Sequence, residues 1–210
     1  MLVIMSGRRN LPTLTIATLP KYGGHRCLDF VNTVEGADEA EPSEYFVIPD
    51  DLRIWARRAD IALDPPLGEA LEADALERAW SLRQIIYSIL CAMVERRSCS
   101  AAETALLTAA LERSAGSRRL VPVPGGIAWK RTRRDLNSLI DMLVVEAVAF
   151  LVEAPKLPLR RCVGSHCGWF FLDYSRNKSR RWCSMSYCGN RAKARRFRRR
   201  KRPASEALDD

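Results

Sequence analysis

A mainly α-helical protein with a small four-cysteine module at its C-terminal end is what this 210-residue sequence predicts. Three observations lead there. Apolar side chains recur every three or four residues along two long stretches, the spacing that lines one face of a helix. Prolines and glycines fall between those stretches and not inside them. Four of the seven cysteines crowd into residues 162–188, a segment with few aliphatic side chains. The hydrophobic fraction of 47% and charged fraction of 28% are those of a globular chain, which disfavours full disorder and a disulfide-dense miniprotein.

Residues 1–20 read as a loose N-terminus. The apolar Met1 to Met5 are followed by Arg8-Arg9 and by no long apolar run, so no secretion signal is expected. Cys27-Leu28-Asp29-Phe30-Val31-Asn32-Thr33 leans to a short helix, and the acidic stretch from Glu35 to Glu44, broken by Gly36 and Pro42, reads as a loop. Pro49-Asp50 supplies an N-cap for a helix carrying Leu52, Trp55, Ala56 and Ala59. The strongest periodicity, Ala75, Ala79, Leu82, Ile86, Ile89 and Met93, predicts a helix from about Leu67 to Arg97.

Ser100-Ala101-Ala102-Glu103 matches a capping box, so a further helix begins there with Leu106, Leu107 and Leu111 facing inward. Between Leu120 and Lys130 a short hairpin turns at Gly125-Gly126, and Pro122 and Pro124 make it an edge feature. From Arg133 to Glu153 a last long helix presents Leu136, Leu139, Ile140, Leu143, Val144, Ala147 and Phe150. Pro155 and Pro158 close it. Residues 155–160 therefore read as a linker between a helical domain spanning 21–154 and a module spanning 161–202, with an acidic tail at 203–210. The apolar periodicities lie wholly between Leu52 and Phe150, so the helical domain is expected to fold without the module. No apolar stretch approaches the ~20 residues of a membrane span.

Net charge is +9, and its distribution says more than its total. Residues 151–202 hold 16 basic and 2 acidic side chains, whereas residues 1–150 hold 18 basic and 20 acidic. A nearly neutral body joined to a strongly positive end is the asymmetry expected of a chain whose end meets a polyanion.

The cysteines lie in the same positive segment. Cys162 and Cys167 enclose four residues, Cys183 and Cys188 enclose four more, and fifteen separate the pairs. Each pair can form a knuckle, and the intervening chain lets both meet on one tetrahedral zinc ion. A segment of about fifty residues with so small a core needs a metal or a disulfide to fold, and such clustering in an unsecreted protein favours the metal. Trp169, Phe170 and Phe171 are expected to form a strand beside it, with Trp182 on the returning strand. His166 is the alternative to Cys167 as a ligand.

The segment Trp182-Cys183-Ser184-Met185, then Cys188-Gly189-Asn190-Arg191 with Lys193, preceded by Phe171-Leu172-Asp173 and Ser175-Arg176-Asn177, resembles the CGNR zinc finger. The string from Cys27 to Thr33 resembles the N-terminal signature of the ABATE-type domain that accompanies this finger. Together these resemblances imply a mostly helical N-terminal domain and a zinc-bound module with Cys162, Cys167, Cys183 and Cys188 as ligands. They also imply a role in stress-induced transcription regulation, and no characterised chemistry for Asp29 or Asn32.

The resulting expectation is a cytoplasmic DNA-binding regulator, with RNA the close alternative. Its helical domain would dimerise, the long Leu67 to Arg97 helix offering the surface, or sense a small-molecule effector. Nucleic-acid contacts fall to Arg180, Arg181, Arg191, Lys193, Arg195, Arg196, Arg198 and Arg199. Arg180, Arg181, Arg191 and Lys193 also stand where they can balance the −2 charge of a four-thiolate zinc. The sequence has no phosphate-cradling loop, GxSxG elbow or HExxH helix, and only two histidines, so no enzyme is expected. A pocket near His25, Cys27, Asp29 and Asn32 keeps a ligand site open, with Asp29 and Asn32 the candidates.

Overall fold

The computed structural model describes residues 14–201, with side chains through Arg198. Most of the stretch read as a loose N-terminus (1–13), the acidic tail and the side chain of Arg199 lie outside the described residues. Three helices form the frame: α3 (Glu69–Glu95), α4 (Ala101–Ser114) and α5 (Leu136–Glu153). The shorter α1 (Arg26–Val31) and α2 (Pro49–Arg58) pack on α3 and α5.

Helical periodicity places the core. Ala75, Ala79, Leu82, Ile86 and Ile89 of α3 are buried, and so is every member of the α5 stripe from Leu136 to Phe150. The capping box at the start of α4 is formed: the Glu103 N–H donates to Ser100 Oγ at 3.1 Å, and the Ser100 N–H to Glu103 Oε2 at 2.8 Å. On α4, however, only Leu107 of the three leucines is buried, and Leu106 is 57% exposed, because α4 meets its neighbours along a narrower stripe. The cap of α2 also differs from expectation. Asp51, not Asp50, accepts from the N–H groups of Val47 and Ile48, which leaves Pro49 at the first helical position.

Short antiparallel ribbons complete the molecule. β1 (Val34–Glu35) pairs with β2 (Ser43–Glu44) at the two ends of the acidic loop. β3 (Arg118–Val123) pairs with β4 (Gly126–Arg131) in the expected hairpin, where Gly125 at φ 84° makes the turn. β5 (Leu159–Arg161) pairs with β6 (Phe170–Leu172), which corrects the expected strand arrangement. The partner of the aromatic strand is the segment before Cys162, so the ribbon embraces the first cysteine knuckle and Trp182 lies in no strand. Part of the expected linker is thus a strand of the module.

Burial also differs from a two-domain division. One contiguous apolar cluster includes Leu28, Phe30, Phe46, Leu82, Ile86 and Phe150 together with Trp169, Phe170, Phe171 and all four clustered cysteines. Ile16 and Leu19, in the stretch read as loose, are each 4% exposed within it. No helix among the described residues is long and apolar enough to cross a membrane.

Candidate metal centre and its basic helix

Two knuckles bring four sulfurs together. In the first, which follows β5, the Gly164 N–H donates to Cys162 Sγ at 3.4 Å. A Cβ on Gly164 would stand 2.9 Å from Cys188 Sγ, so this turn closes over the sulfurs only without a side chain. Ser184 begins the second knuckle, accepting the Tyr187 N–H at 3.4 Å ahead of a single π-helical turn, Met185–Gly189. The Val163 N–H donates to the Arg181 carbonyl at 3.1 Å and ties the knuckles to each other.

All four cysteines are buried, and their sulfurs lie within 4.8 Å of one another. Cys183 Sγ is 3.7 Å from Cys167 Sγ and 3.6 Å from Cys188 Sγ. Tetrahedral zinc with Zn–S bonds of ~2.3 Å requires sulfurs about 3.8 Å apart, so the donor set fits. Four buried sulfurs at this spacing are satisfied together by one divalent ion that takes them as thiolates. His166 takes no part: its ring is exposed and faces Glu39, and its own N–H donates to Glu39 Oε1 at 3.0 Å.

The helical body grips this centre through residues that look unremarkable in sequence. The Asn32 side chain donates from Nδ2 to the Phe170 carbonyl at 2.9 Å and accepts the Phe170 N–H on Oδ1 at 2.8 Å, completing the free edge of β6 as a strand would. Trp169 Nε1 donates to the Val34 carbonyl at 2.8 Å, and the Gly36 N–H to the Cys167 carbonyl at 2.9 Å. The acidic loop adds the Asp38–Arg161 ion pair at 2.6 Å.

Glu35, 7% exposed, is the hub of the contact. It accepts from Tyr45 and Tyr187 hydroxyls, each at 3.1 Å, and from Arg191 at 2.7 Å. Burial, and then the Glu35 charge, push both tyrosines above their ordinary range, so they remain donors. Arg191 also donates to Cys188 Sγ at 3.3 Å and lies 3.9 Å over the Tyr187 ring. It thereby places positive charge on a thiolate while joining module to body.

The structure separates the expected nucleic-acid residues into two groups. Arg191 is engaged as above. Arg180 donates to the carbonyls of Trp182 and Cys183 and lies 4.4 Å over Phe171, and Arg181 lies 5.6 Å from the Trp182 ring. Lys193, Arg195, Arg196 and Arg198 instead stand exposed on α6 (Asn190–Lys201), with no ion pair among the described residues.

Asp29 and Asn32 are likewise divided. Asn32 is 2% exposed with both polar ends on Phe170, which corrects its candidacy as a ligand-binding residue. Asp29 borders an open cavity of about 320 Å³ with Lys21, His25, Arg26, Trp55 and Asp60, and accepts the Gly23 N–H at 2.9 Å. Burial pushes its carboxyl up and the His25 imidazole down, while His25 caps α1 by accepting the Cys27 N–H. Sequence reasoning missed Glu35. Its only signal was an acidic side chain between apolar Val34 and a glycine, and two of its three partners, Tyr187 and Arg191, are more than 150 residues away.

Fold and centre together define a zinc-finger protein whose four-cysteine module is built into the core of a helical body. The CGNR zinc finger family matches residues 159–201. The ABATE family, described as "Putative stress-induced transcription regulator", matches residues 24–155, more than half of the chain, and the chain belongs to it. Comparison with curated proteins returns no match.

Proposed function

We propose that this protein is a zinc-dependent DNA-binding transcription regulator, acting by binding and not by catalysis. One observation carries the reading. Helix α6 leaves the metal centre directly after Cys188, holds eight Lys or Arg and no acidic residue in twelve positions, and exposes Lys193, Arg195, Arg196 and Arg198. Two or three cations suffice to balance a four-thiolate zinc, and Arg191 and Arg180 already lie against the cysteine turns. The excess on α6 suits phosphates. At ~1.5 Å per residue the helix is about 18 Å long, enough to lie along or across a groove. The description of the ABATE family supports a regulatory, stress-linked role, and the cavity beside Asp29 suits a small effector.

Fluorescence anisotropy of the zinc-loaded chain with duplex DNA and with RNA tests the reading. If about five phosphates are neutralised, the slope of log affinity against log salt is about −4.5, a loss of about 500-fold between roughly 50 and 200 mM salt. The triple variant R195A/R196A/R198A is expected to flatten that slope and weaken all sequences alike. Tighter binding to RNA would reassign the partner, and no binding to either at low salt would remove the nucleic-acid reading.

A further inference from the structure

The β3–β4 hairpin breaks the usual rules of a surface ribbon in two ways. Its first two cross-strand pairs set like charges opposite each other: Arg118 faces Arg131, and Arg119 faces Lys130. Cations directly opposed on a ribbon destabilise it. Arg119 and Lys130 are exposed and form no ion pair among the described residues. Arg131 is partly buried against the Ala62 carbonyl, and its burial, with Arg134 nearby, pushes the guanidinium below its ordinary value. No acidic residue lies between Glu112 and Asp135.

The second departure is apolar. Alternation puts Leu120, Pro122, Ile127 and Trp129 on one face, where Leu120 pairs with Trp129 and Pro122 with Ile127. That face is bare: Leu120 is 52%, Ile127 69% and Trp129 58% exposed. The opposite face carries the partly buried Val121 and Ala128 together with the exposed Arg119 and Lys130.

We propose that this hairpin is a second nucleic-acid contact, a basic ribbon that enters a duplex groove with the cations at its base on phosphates and its apolar tip against the bases. A two-stranded ribbon fits the major groove, which is ~12 Å wide. Exposed Ile127 and Pro122 at its tip suit apolar contact with the thymine methyl groups on the floor of that groove. The like-charge pairs decide among occupants. A second copy of this chain would bring four more cations to the same ribbon and raise the repulsion, whereas phosphates relieve it. A neutral lipid surface would have to desolvate the Arg118 guanidinium, which lies 4.2 Å over the Trp129 ring. This contact rests on the nucleic-acid reading of α6 and is distinct from it in sequence and place. The hairpin adjoins the start of α5 and the module follows its end, so a helix about 27 Å long at ~1.5 Å per residue separates them.

The test uses the full zinc-loaded chain and a duplex of about 30 base pairs, with four proteins compared: wild type, R119S/K130S, the α6 variant R195A/R196A/R198A, and R57S/R97S as a control for loss of two exposed cations elsewhere. Removing two phosphate contacts is expected to reduce the salt slope by about 1.8 and to weaken binding by up to about 60-fold at roughly 100 mM salt. The control should change affinity only a few-fold. Unchanged zinc content and a thermal midpoint no lower than that of wild type in R119S/K130S would show that the loss is at the contact. An α6 variant that weakens binding beside a hairpin variant equal to the control overturns the hairpin proposal and leaves the α6 reading standing. Wild-type protein that binds no duplex overturns both. A hairpin variant that keeps its DNA affinity but loses binding to phosphatidylserine vesicles, or loses self-association in sedimentation, reassigns the surface and overturns the proposal as well.

Discussion

Arg191 makes three contacts at once, to the Glu35 carboxylate, the Cys188 sulfur and the Tyr187 ring. A residue so occupied is badly placed to read a base, although its position in the first turn of α6 suggests that role from sequence. Arg191→Ala leaves Glu35 buried with two tyrosine hydroxyls and no positive partner. Breaking a buried pair by removing one partner costs ~3–5 kcal/mol, and the partial exposure of Arg191 reduces this to about 2–3 kcal/mol. Glu35→Gln removes the same charge pair from the other side and should reproduce most of the loss. The check is paired thermal melts and DNA titrations. A variant that melts like wild type but loses affinity for one DNA sequence alone would assign Arg191 to base reading. The side chains that hold the molecule together at this scale are polar, and their partners are remote. Periodicity reports burial of apolar groups and carries no information about where an Asn or a Glu finds its partner.

Among the elements, those defined by local rules are the legible ones. The α5 stripe, the α4 capping box and the hairpin at Gly125-Gly126 each depend on residues within a few positions of one another, and each stands where its spacing puts it. The cysteine cluster was legible for the same reason, as two short loops with ligand spacing. Strand pairing was not. Phe170–Leu172 has the aromatic composition of a strand, but composition does not say whether its partner precedes or follows it, and the structure chooses Leu159–Arg161. The other edge of β6 is closed at Phe170 by the Asn32 side chain and at Leu172 by the Gly23 carbonyl. Asn32→Leu keeps the size and removes both hydrogen bonds, leaving the Phe170 N–H and carbonyl unpaired in a buried site. Each buried orphan costs ~1–3 kcal/mol, so the variant should lose about 2–5 kcal/mol. Chemical denaturation measures it. Stability within ~0.5 kcal/mol of wild type would show that the Asn32–Phe170 pair contributes little beyond packing.

At the scale of the whole molecule, the expectation of a self-sufficient helical domain meets a core that does not divide. Trp169, Phe170 and Phe171, each 1% exposed or less, share one cluster with Phe30, Phe46 and Ile86, and the acidic loop between β1 and β2 lies on the first knuckle. Pro155, Pro158 and the onset of positive charge set a boundary at 155–160, but burial follows neither. The consequence concerns the metal. Because the ligands hold the aromatic strand that completes the body's core, zinc binding should stabilise α1, α3 and α5 as well as the module. A metal present at about a thousand times its dissociation constant adds ~4 kcal/mol to the folded state. At ~2–4 °C per kcal/mol for a chain of this size, chelation should lower the thermal midpoint by roughly 8–16 °C. Two probes separate the possibilities: helix content by circular dichroism, and thiolate-to-metal charge transfer in the cobalt-substituted protein. In the cobalt protein both should change in a single transition, and chelation of either metal should move the helix signal down. A helix signal that melts at the same temperature with and without metal, while the charge-transfer band is lost earlier, would mean that the body folds without the finger and that the clasp through Asn32, Trp169 and Glu35 is an adhesion between independent parts.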